Sequence, residues 1–226
     1  MDSPTERAPN RIRGPESFAE AFKVPRETIH RLIRYAELLT EWQGRHNLVS
    51  ARSLLQVWDR HFADSAQLWA LAPEADSWLD LGSGAGFPGL VVAILKAQDP
   101  DFRMHLVEST AKKCAFLAEV AQQTQAPVEI HAMRIEELGR RSQYLQPEIV
   151  SARALAPLPR LLDLAVPFFG PGTRGLFLKG RDAERELSEA GKRWSFASRL
   201  HPSLTAPHSA IVEIGELAKR GKAKTR

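Results

Sequence analysis

The segment Asp80–Gly89, which reads Asp-Leu-Gly-Ser-Gly-Ala-Gly-Phe-Pro-Gly, constrains the fold of this chain more than any other. An apolar run at 77–81 precedes it, and an amphipathic run beginning at Pro88 follows it. Glycines allow backbone angles and a close approach of a ligand that a Cβ atom forbids. A glycine-rich turn between a strand and a helix therefore predicts a nucleoside-binding site on a Rossmann-like fold.

Short apolar runs alternate with longer amphipathic segments after Asp76, and this predicts an α/β fold. A mostly parallel sheet with helices on both faces is the usual result of such alternation. In these sheets, ligands bind beyond the carboxyl ends of the central strands. Strands are predicted at 77–81, 104–107, 128–131, 149–151, 175–178, 196–200 and 210–214, and helices at 25–43, 53–71, 88–96, 110–124, from 135, 157–169 and 181–191.

The length of 226 residues fits one domain with a compact extension. We expect a disordered tail at 1–16, a helical extension at 17–76, the α/β domain at 77–215 and a basic tail at 216–226. The basic tail is either a solvated end or a loose electrostatic grip on nucleic acid.

Three features point to an intracellular protein. No apolar run approaches the roughly 18 residues that span a membrane. The polar N-terminus does not look like a secretory signal. The single cysteine, Cys114, excludes an internal disulfide framework and fits a reducing cytoplasm.

Glu108 follows the second predicted strand, about 20 residues beyond the glycine loop, where an acid can accept hydrogen bonds from both ribose hydroxyls. Two cofactors compete at this point. Gly84, Gly86 and Gly89 match the G-x-G-x-x-G fingerprint of NAD oxidoreductases. Asp80, two positions before Gly82, is instead typical of Rossmann-like methyltransferases. Too few residues follow the sheet for a dehydrogenase substrate domain, which favours the methyltransferase.

Five ordered segments resemble the RsmG (GidB) family, bacterial small-subunit rRNA guanine-N7 methyltransferases. The family's Asn-Leu-Thr is Asn-Leu-Val here, and its Ser-Arg-Ala element corresponds to Ser-Ala-Arg-Ala, with Ala152 inserted or substituted. The Arg-His-x-x-Asp-Ser element, the cofactor loop and the Lys-Gly turn also match. The five segments are 42–50, 60–65, 79–89, 151–154 and 178–180.

The resemblance implies a seven-stranded class I methyltransferase sheet with an N-terminal helical extension, S-adenosyl-L-methionine as cofactor and S-adenosyl-L-homocysteine as product. The residues that would contact this cofactor are Asp80, Gly82, Gly84, Gly86, Phe87, Glu108, Ser109, Thr110, Ile135, Glu136 and Arg153.

Attack by guanine N7 needs no proton removal, so catalysis should depend on alignment, and no residue is assigned as an acid or base catalyst. We expect Arg153 and Lys179 to orient the substrate. Basic residues near the sheet edge, with Phe87 as a stacking aromatic, are candidates to bind RNA: Arg45, Arg60, His61, Lys112, Lys179 and Arg181. His61 and Asp64 alternatively tie the extension to the sheet.

The expected partner is ribosomal RNA or the small ribosomal subunit, bound by a cytoplasmic monomer with no membrane contact. No metal is expected, because the seven histidines show no metal-ligand spacing. Three alternatives stay open: a methyltransferase acting on a small molecule or protein, a non-catalytic protein that binds S-adenosylmethionine or RNA, and an NAD oxidoreductase.

Overall fold

The computed structural model of this chain describes residues 12–141 and 145–220. These residues form a seven-stranded sheet in the order β3-β2-β1-β4-β5-β7-β6. Strands β1 to β5 are parallel, and β7 runs antiparallel between β5 and β6. The predicted fold class is confirmed. The strands are β1 (Ser77–Leu81), β2 (Arg103–Val107), β3 (Val128–His131), β4 (Ile149–Arg153), β5 (Arg174–Lys179), β6 (Trp194–Pro202) and β7 (Ala210–Lys219).

Helices cover both faces of the sheet. Their order along the chain is α1 (Pro15–Phe22), α2 (Arg26–Gln43), α3 (Ala51–Leu54), a π-helix (Trp58–Ala63), α4 (Asp64–Leu71), α5 (Gly89–Leu95), α6 (Ala111–Thr124), α7 (Ile135–Arg141), α8 (Leu158–Ala165), a 3₁₀ helix (Val166–Phe168) and α9 (Ala183–Ala190). None of the helices among the described residues combines the length and apolar character needed to cross a membrane.

The predicted continuous helix at 53–71 is wrong. The chain forms the short α3, turns at Leu55 and Gln56, and continues as the π-helix and α4. The apolar spacing of this segment gave no sign of the turn, where the side chain of Leu55 is exposed and does not face the core. Trp58 and Phe62, by contrast, pack against the core at this point.

Two hydrophobic cores lie on opposite faces of the sheet. Trp78 and Leu106 belong to the core beneath α2, α4, α5 and α6. Leu79 and Val107, their neighbours on the same strands, belong to the core beneath α7, α8 and α9. Successive side chains of a strand point to opposite faces, so strands buried on both faces are apolar over most of their length. The helical extension shares the first core with the α/β region and is packed onto it.

Two expected boundaries fall inside regular structure. Helix α1 begins at Pro15, before the predicted end of the first tail at residue 16. Strand β7 continues to Lys219, beyond the predicted start of the basic tail at residue 216. The parts of these tails at 1–11 and 221–226 lie outside the described residues.

The sheet order places one crevice at its centre. Strands β1 and β4 are neighbours, and the chain winds outward from them in opposite directions. Open α/β sheets bind ligands at such a switch point, beyond the carboxyl ends of the strands. The glycine loop after β1, Glu108 after β2 and Arg153 at the end of β4 all lie on this side.

We expect Gly89→Ala to destabilise the fold, since a Cβ there would lie 2.5 Å from Leu106 Cδ2 and 2.7 Å from Asp80 Cβ. Overpacking of this kind lowers the free energy of unfolding by about 1–3 kcal/mol. Gly215→Ala is the matched control, because a Cβ there meets nothing within 4 Å. Urea denaturation of both variants measures the difference, and equal midpoints would contradict this account.

Candidate active site

The glycine loop exposes bare main chain beside the switch point. Gly82, Gly84 and Gly86 have φ angles of +68°, +59° and +94°, in the left-handed region that favours glycine. A Cβ at Gly86 would collide with the Tyr35 hydroxyl. A Cβ at Gly84 would meet only the carbonyl oxygen of Gly82, at 3.8 Å, so open space borders the main chain there. The loop therefore leaves room for a ligand against its backbone.

Tyr35 of α2 supports the loop from the helical extension. Its buried hydroxyl donates a hydrogen bond to the carbonyl of Ala85. Its ring stacks on Phe87, with the centroids 5.4 Å apart and the planes at 16°. Burial raises the pKa of Tyr35 well above its usual range, so the hydroxyl stays protonated as a donor. Sequence reasoning missed Tyr35, because it looks like one more core residue on the apolar side of α2.

Asp80 is buried beneath the loop and joins the two central strands. The Ser151 hydroxyl of β4 donates to its Oδ1 at 2.8 Å. Burial raises the pKa of Asp80 to about 6, although the hydrogen bond from Ser151 opposes this rise. Its Oδ2 has no hydrogen-bond partner among the described residues. Asp80 therefore supports the glycine loop from below. Its side chain is fully buried and does not reach the open space beside the loop.

Glu108 is bonded directly to the loop. Its Oε2 accepts from the amide of Gly84 at 3.1 Å, and its Oε1 accepts from the amide of Thr110 at 2.7 Å. Each carboxylate oxygen has a further lone pair, so Glu108 can also accept ribose hydroxyls. Ser109 and Thr110 are exposed next to it. The structure thus brings together the loop and the 108–110 segment, as the sequence predicted.

The start of α7 lies close to Glu108 through the end of β3. The amides of Glu108 and Met133 both donate to the carbonyl of His131, at 3.2 and 2.9 Å. Ile135 is buried at the first turn of α7. Glu136 is half-exposed and pairs with Arg160 at 2.7 Å. The proposed contacts of Ile135 and Glu136 with a cofactor stay predictions.

Arg153 joins the end of β4 to the π-helix. Its guanidinium contacts His61 Nδ1 at 2.8 Å and Asp64 Oδ2 at 3.3 Å, and it donates to the carbonyl of Arg60 at 3.0 Å. It also lies over the ring of Phe87, 4.9 Å from the centroid. The expectation that His61 and Asp64 tie the extension to the sheet agrees with these contacts. The π-helix, a geometry frequent at functional sites, carries both Arg60 and His61.

His61 and Phe87 are not available to RNA, which corrects two predictions. His61 is 7% exposed and Phe87 is 4% exposed, because their rings stack on each other with centroids 4.4 Å apart. Burial, with the positive charges of Arg153 and Arg60, lowers the pKa of His61 to about 3. The imidazole is therefore neutral, and its Nδ1 accepts a hydrogen bond from Arg153.

A cavity of about 200 Å³ opens beyond the ends of β4 and β5. Its lining includes Arg60, Asp64, Arg153, Ala154, Lys179 and Gly180. Ala154 has a φ of +51°, a strained backbone for a residue other than glycine, and such strain gathers at functional sites. A second cavity, of about 420 Å³, shares Arg60 with the first and adds Arg52, Thr205 and Pro207.

Lys179 lines this cavity but is paired within the protein, and its contact with RNA stays a prediction. Its ammonium pairs with Glu186 at 2.8 Å and donates to the carbonyl of Ala156 at 2.5 Å, and the side chain is 8% exposed. Of the other RNA candidates, only Arg60 reaches the cavity. Arg45, Lys112 and Arg181 are exposed at other places.

The sheet also assembles a group that no sequence spacing revealed. His105 on β2 lies beside Glu129 and His131 on β3, with their ligand atoms within 4.8 Å of one another. The expectation that no metal binds rested on spacing along the sequence, which does not show that these three side chains meet in space.

Comparisons with known proteins agree with this geometry. The family model GidB, described as rRNA small subunit methyltransferase G, matches residues 28–213. Ribosomal RNA small subunit methyltransferase G of Parvibaculum lavamentivorans is 50% identical over 200 residues, covering 88% of each chain. The protein of the same name from Paramagnetospirillum magneticum is 46% identical over 212 residues, covering 93% of this chain and 99% of its own.

Solved structures share the fold at low identity. A putative O-methyltransferase from Klebsiella pneumoniae superposes with a TM-score of 0.58 at 15% identity, covering 89% of this chain and 95% of its own. An O-methyltransferase from Bacillus cereus in complex with SAH gives 0.57 at 13% identity, covering 81% and 91%.

The low pKa of His61 predicts a pH-dependent stability. As the pH falls below about 6.5, the unfolded chain binds a proton at His61 that the folded chain binds only near pH 3. Stability should therefore be lost on acidification, at up to about 1.4 kcal/mol per pH unit. Asp80, whose pKa is raised, acts in the opposite direction between about pH 4 and 6, so variants must be compared.

We expect the stability advantage of the wild type over His61→Gln to shrink by about 1 kcal/mol per pH unit from pH 6 to 4. Urea denaturation at several pH values measures it. His30→Gln, at an exposed position, is the control and should show no such trend. A constant difference between wild type and His61→Gln would contradict the buried neutral imidazole.

Proposed function

The chain belongs to the GidB family, rRNA small subunit methyltransferase G, and from that premise we propose that it methylates N7 of a guanine in small-subunit (16S) ribosomal RNA. The methyl donor is S-adenosyl-L-methionine, and S-adenosyl-L-homocysteine is left as product. The observation that carries the proposal is the hydrogen bond from the Gly84 amide to the Glu108 carboxylate at the switch point. Gly84 lies three residues before Phe87, the ring that Arg153 covers.

The residues at the loop fit this cofactor. S-adenosylmethionine has a ribose for the Glu108 carboxylate and no pyrophosphate, so the loop needs no phosphate cradle. Open space beside Gly84 leaves room for the ligand against the main chain. Gly82, Gly84 and Glu108 would hold it, with Ile135 and Glu136 near the adenine. When bound, it supplies a methyl group activated by a positively charged sulfur.

The acceptor chemistry places few demands on side chains. Guanine N7 has an in-plane lone pair and no proton to lose, so a general base is not needed. Rate enhancement then comes from holding N7, the methyl carbon and the sulfur in line at near-attack distance. The cavity at the ends of β4 and β5 is the acceptor site in this proposal. Arg153, which lines it, also covers the ring of Phe87 in the glycine loop.

Charge pairing in this cavity suits a cationic product. Methylation at N7 gives the base a positive charge, which an unpaired cation alongside would oppose. Arg153 is paired with Asp64 at 3.3 Å, and Lys179 is paired with Glu186 at 2.8 Å. Both cations are thus partly neutralised where the product charge forms. We assign Arg153 a positioning role, because it fixes Phe87 and His61 behind the cavity.

Arg52 and Arg60 are suited to contact RNA phosphates. Both are exposed, and they line the cavity that adjoins the acceptor site. Phosphate contacts fix the position of an RNA without reading its sequence. The substrate is then ribosomal RNA or the small subunit that contains it, and the cytoplasm is the place where a monomer would meet it.

Methyl transfer from labelled S-adenosylmethionine to ribosomal RNA, taken from cells that lack the endogenous activity, tests the function. We expect label on one guanine, at N7. Tight binding of S-adenosylhomocysteine without any label would keep the cofactor and overturn the substrate. Label on a small molecule or a protein would assign a different methyltransferase, and preferential binding of NAD would overturn the cofactor itself.

Glu108→Gln should weaken S-adenosylhomocysteine binding by about 10- to 100-fold, because hydrogen bonds to a charged acceptor contribute about 1.5–3 kcal/mol. Calorimetric titration measures the affinity. Glu184→Gln, on the exposed side of α9, is the control and should bind like the wild type. Unchanged affinity in Glu108→Gln would remove Glu108 from the cofactor site.

Arg153→Ala should lower kcat by at least about tenfold. Without the guanidinium, Phe87 and His61 lose the group that holds them behind the acceptor cavity, and the reacting atoms are aligned less well. Arg153→Lys keeps the charge but cannot reach His61, Asp64 and Arg60 together, so it should restore little. Single-turnover methylation with saturating cofactor measures both variants. Wild-type turnover and cofactor affinity in Arg153→Ala would exclude a role for this side chain.

A further inference from the structure

Two imidazoles and a carboxylate meet on one face of the sheet at its β3 edge. His105 is paired in register with Glu129, and Val107 is paired with His131. Side chains two residues apart on a strand share a face, so Glu129 and His131 lie on the same side as His105. This arrangement depends on the parallel register of β2 and β3, which joins residues far apart in the sequence.

The spacing of the three donors matches the ligands of one metal ion. His105 Nδ1 lies 3.0 Å from His131 Nε2. The Glu129 carboxylate oxygens lie 3.5 Å from the first nitrogen and 3.7 Å from the second. Tetrahedral zinc, with bonds of about 2.0–2.2 Å to nitrogen and oxygen, places its ligand atoms roughly 3.3–3.5 Å apart. The three donors therefore need little movement to share an ion.

A hydrogen bond between the two rings accounts for only part of this arrangement. One proton between His105 Nδ1 and His131 Nε2 satisfies both nitrogens. The Glu129 carboxylate, 3.5 Å from His105 Nδ1, then has no proton to accept from either ring nitrogen. Three groups rich in lone pairs around one point are instead the arrangement that a cation stabilises.

The cluster is shielded on one side and open to solvent on the other. The side chains of His105 and His131 are largely buried, and that of Glu129 is 67% exposed. An ion can therefore reach the two imidazoles past the Glu129 carboxylate.

We propose that His105, Glu129 and His131 form a site for a divalent transition-metal ion of the zinc type. Imidazole ligands suit zinc, nickel and copper, whereas magnesium and calcium require more oxygen ligands than one carboxylate provides. Three protein ligands leave a fourth position for water. The ion would link β3 to β2, one hydrogen bond from Glu108, whose amide donates to the carbonyl of His131.

Calorimetric titration of the full, tag-free chain with ZnCl₂, after treatment with a chelator, tests the site. We expect one equivalent of Zn²⁺ to bind and MgCl₂ to give no binding. Zn²⁺ should also raise the melting temperature. Co²⁺ should give visible absorption bands typical of four- or five-coordinate nitrogen and oxygen ligands, without the intense near-ultraviolet band of a thiolate ligand.

Variants locate the ion. His105→Gln, His131→Gln and Glu129→Gln should each weaken Zn²⁺ binding by at least about 10- to 100-fold, since changes even outside the direct ligands have effects of this size. Glu129→Gln replaces an exposed side chain, so it tests the site without disturbing the core. His30→Gln is the control and should bind like the wild type.

Three results would overturn the proposal. The first is a wild-type chain that does not bind Zn²⁺ with a Kd below about 1 mM. The second is unchanged Zn²⁺ affinity in both Glu129→Gln and a correctly folded His105→Gln. The third is a cobalt–thiolate band, which would assign the ion to Cys114.

Discussion

The packing around Phe87 holds this structure's functional parts together. Its ring contacts Tyr35 from the extension, His61 from the π-helix and the guanidinium of Arg153 from β4. Stacked rings and a cation over a ring each contribute about 0.5–1.5 kcal/mol beyond burial, so the set acts as one unit. Because Phe87 belongs to the glycine loop, the loop's position depends on contacts from segments far away in the chain. The extension therefore supports the glycine loop directly.

A balance of charge follows from the same packing. Arg153 is held between a carboxylate and a neutral imidazole, and burial keeps that imidazole neutral. Lys179 is likewise held by Glu186. Burying a charge is unfavourable unless it is paired and hydrogen-bonded, which explains why both cations have partners. Arg153 and Lys179 thus stand at the cavity wall in fixed positions, and the paired carboxylates offset most of their positive charge.

The sequence predicted the features that depend on local pattern. The seven strands, the glycine loop and the place of Glu108 follow from hydrophobic period and turn chemistry, and the structure agrees with them. It could not predict what depends on tertiary contact. His61 and Phe87 were expected to contact RNA. The sequence does not show that their rings stack on each other, and this packing buries both. Ala154 gives no sign of its left-handed backbone, and His105 meets His131 only through strand register.

The order of the last strands has a consequence for how the chain is made. Strand β6 pairs with β7, and β7 separates it from β5. During synthesis, β6 thus leaves the ribosome before the strand that it needs, and the free edge of β5 stays open until residues 210–219 follow. Unpaired edges invite association with other chains, and long-range pairing is slow. The nascent chain therefore exposes both β6 and the edge of β5 to association until β7 has been made and has paired with them.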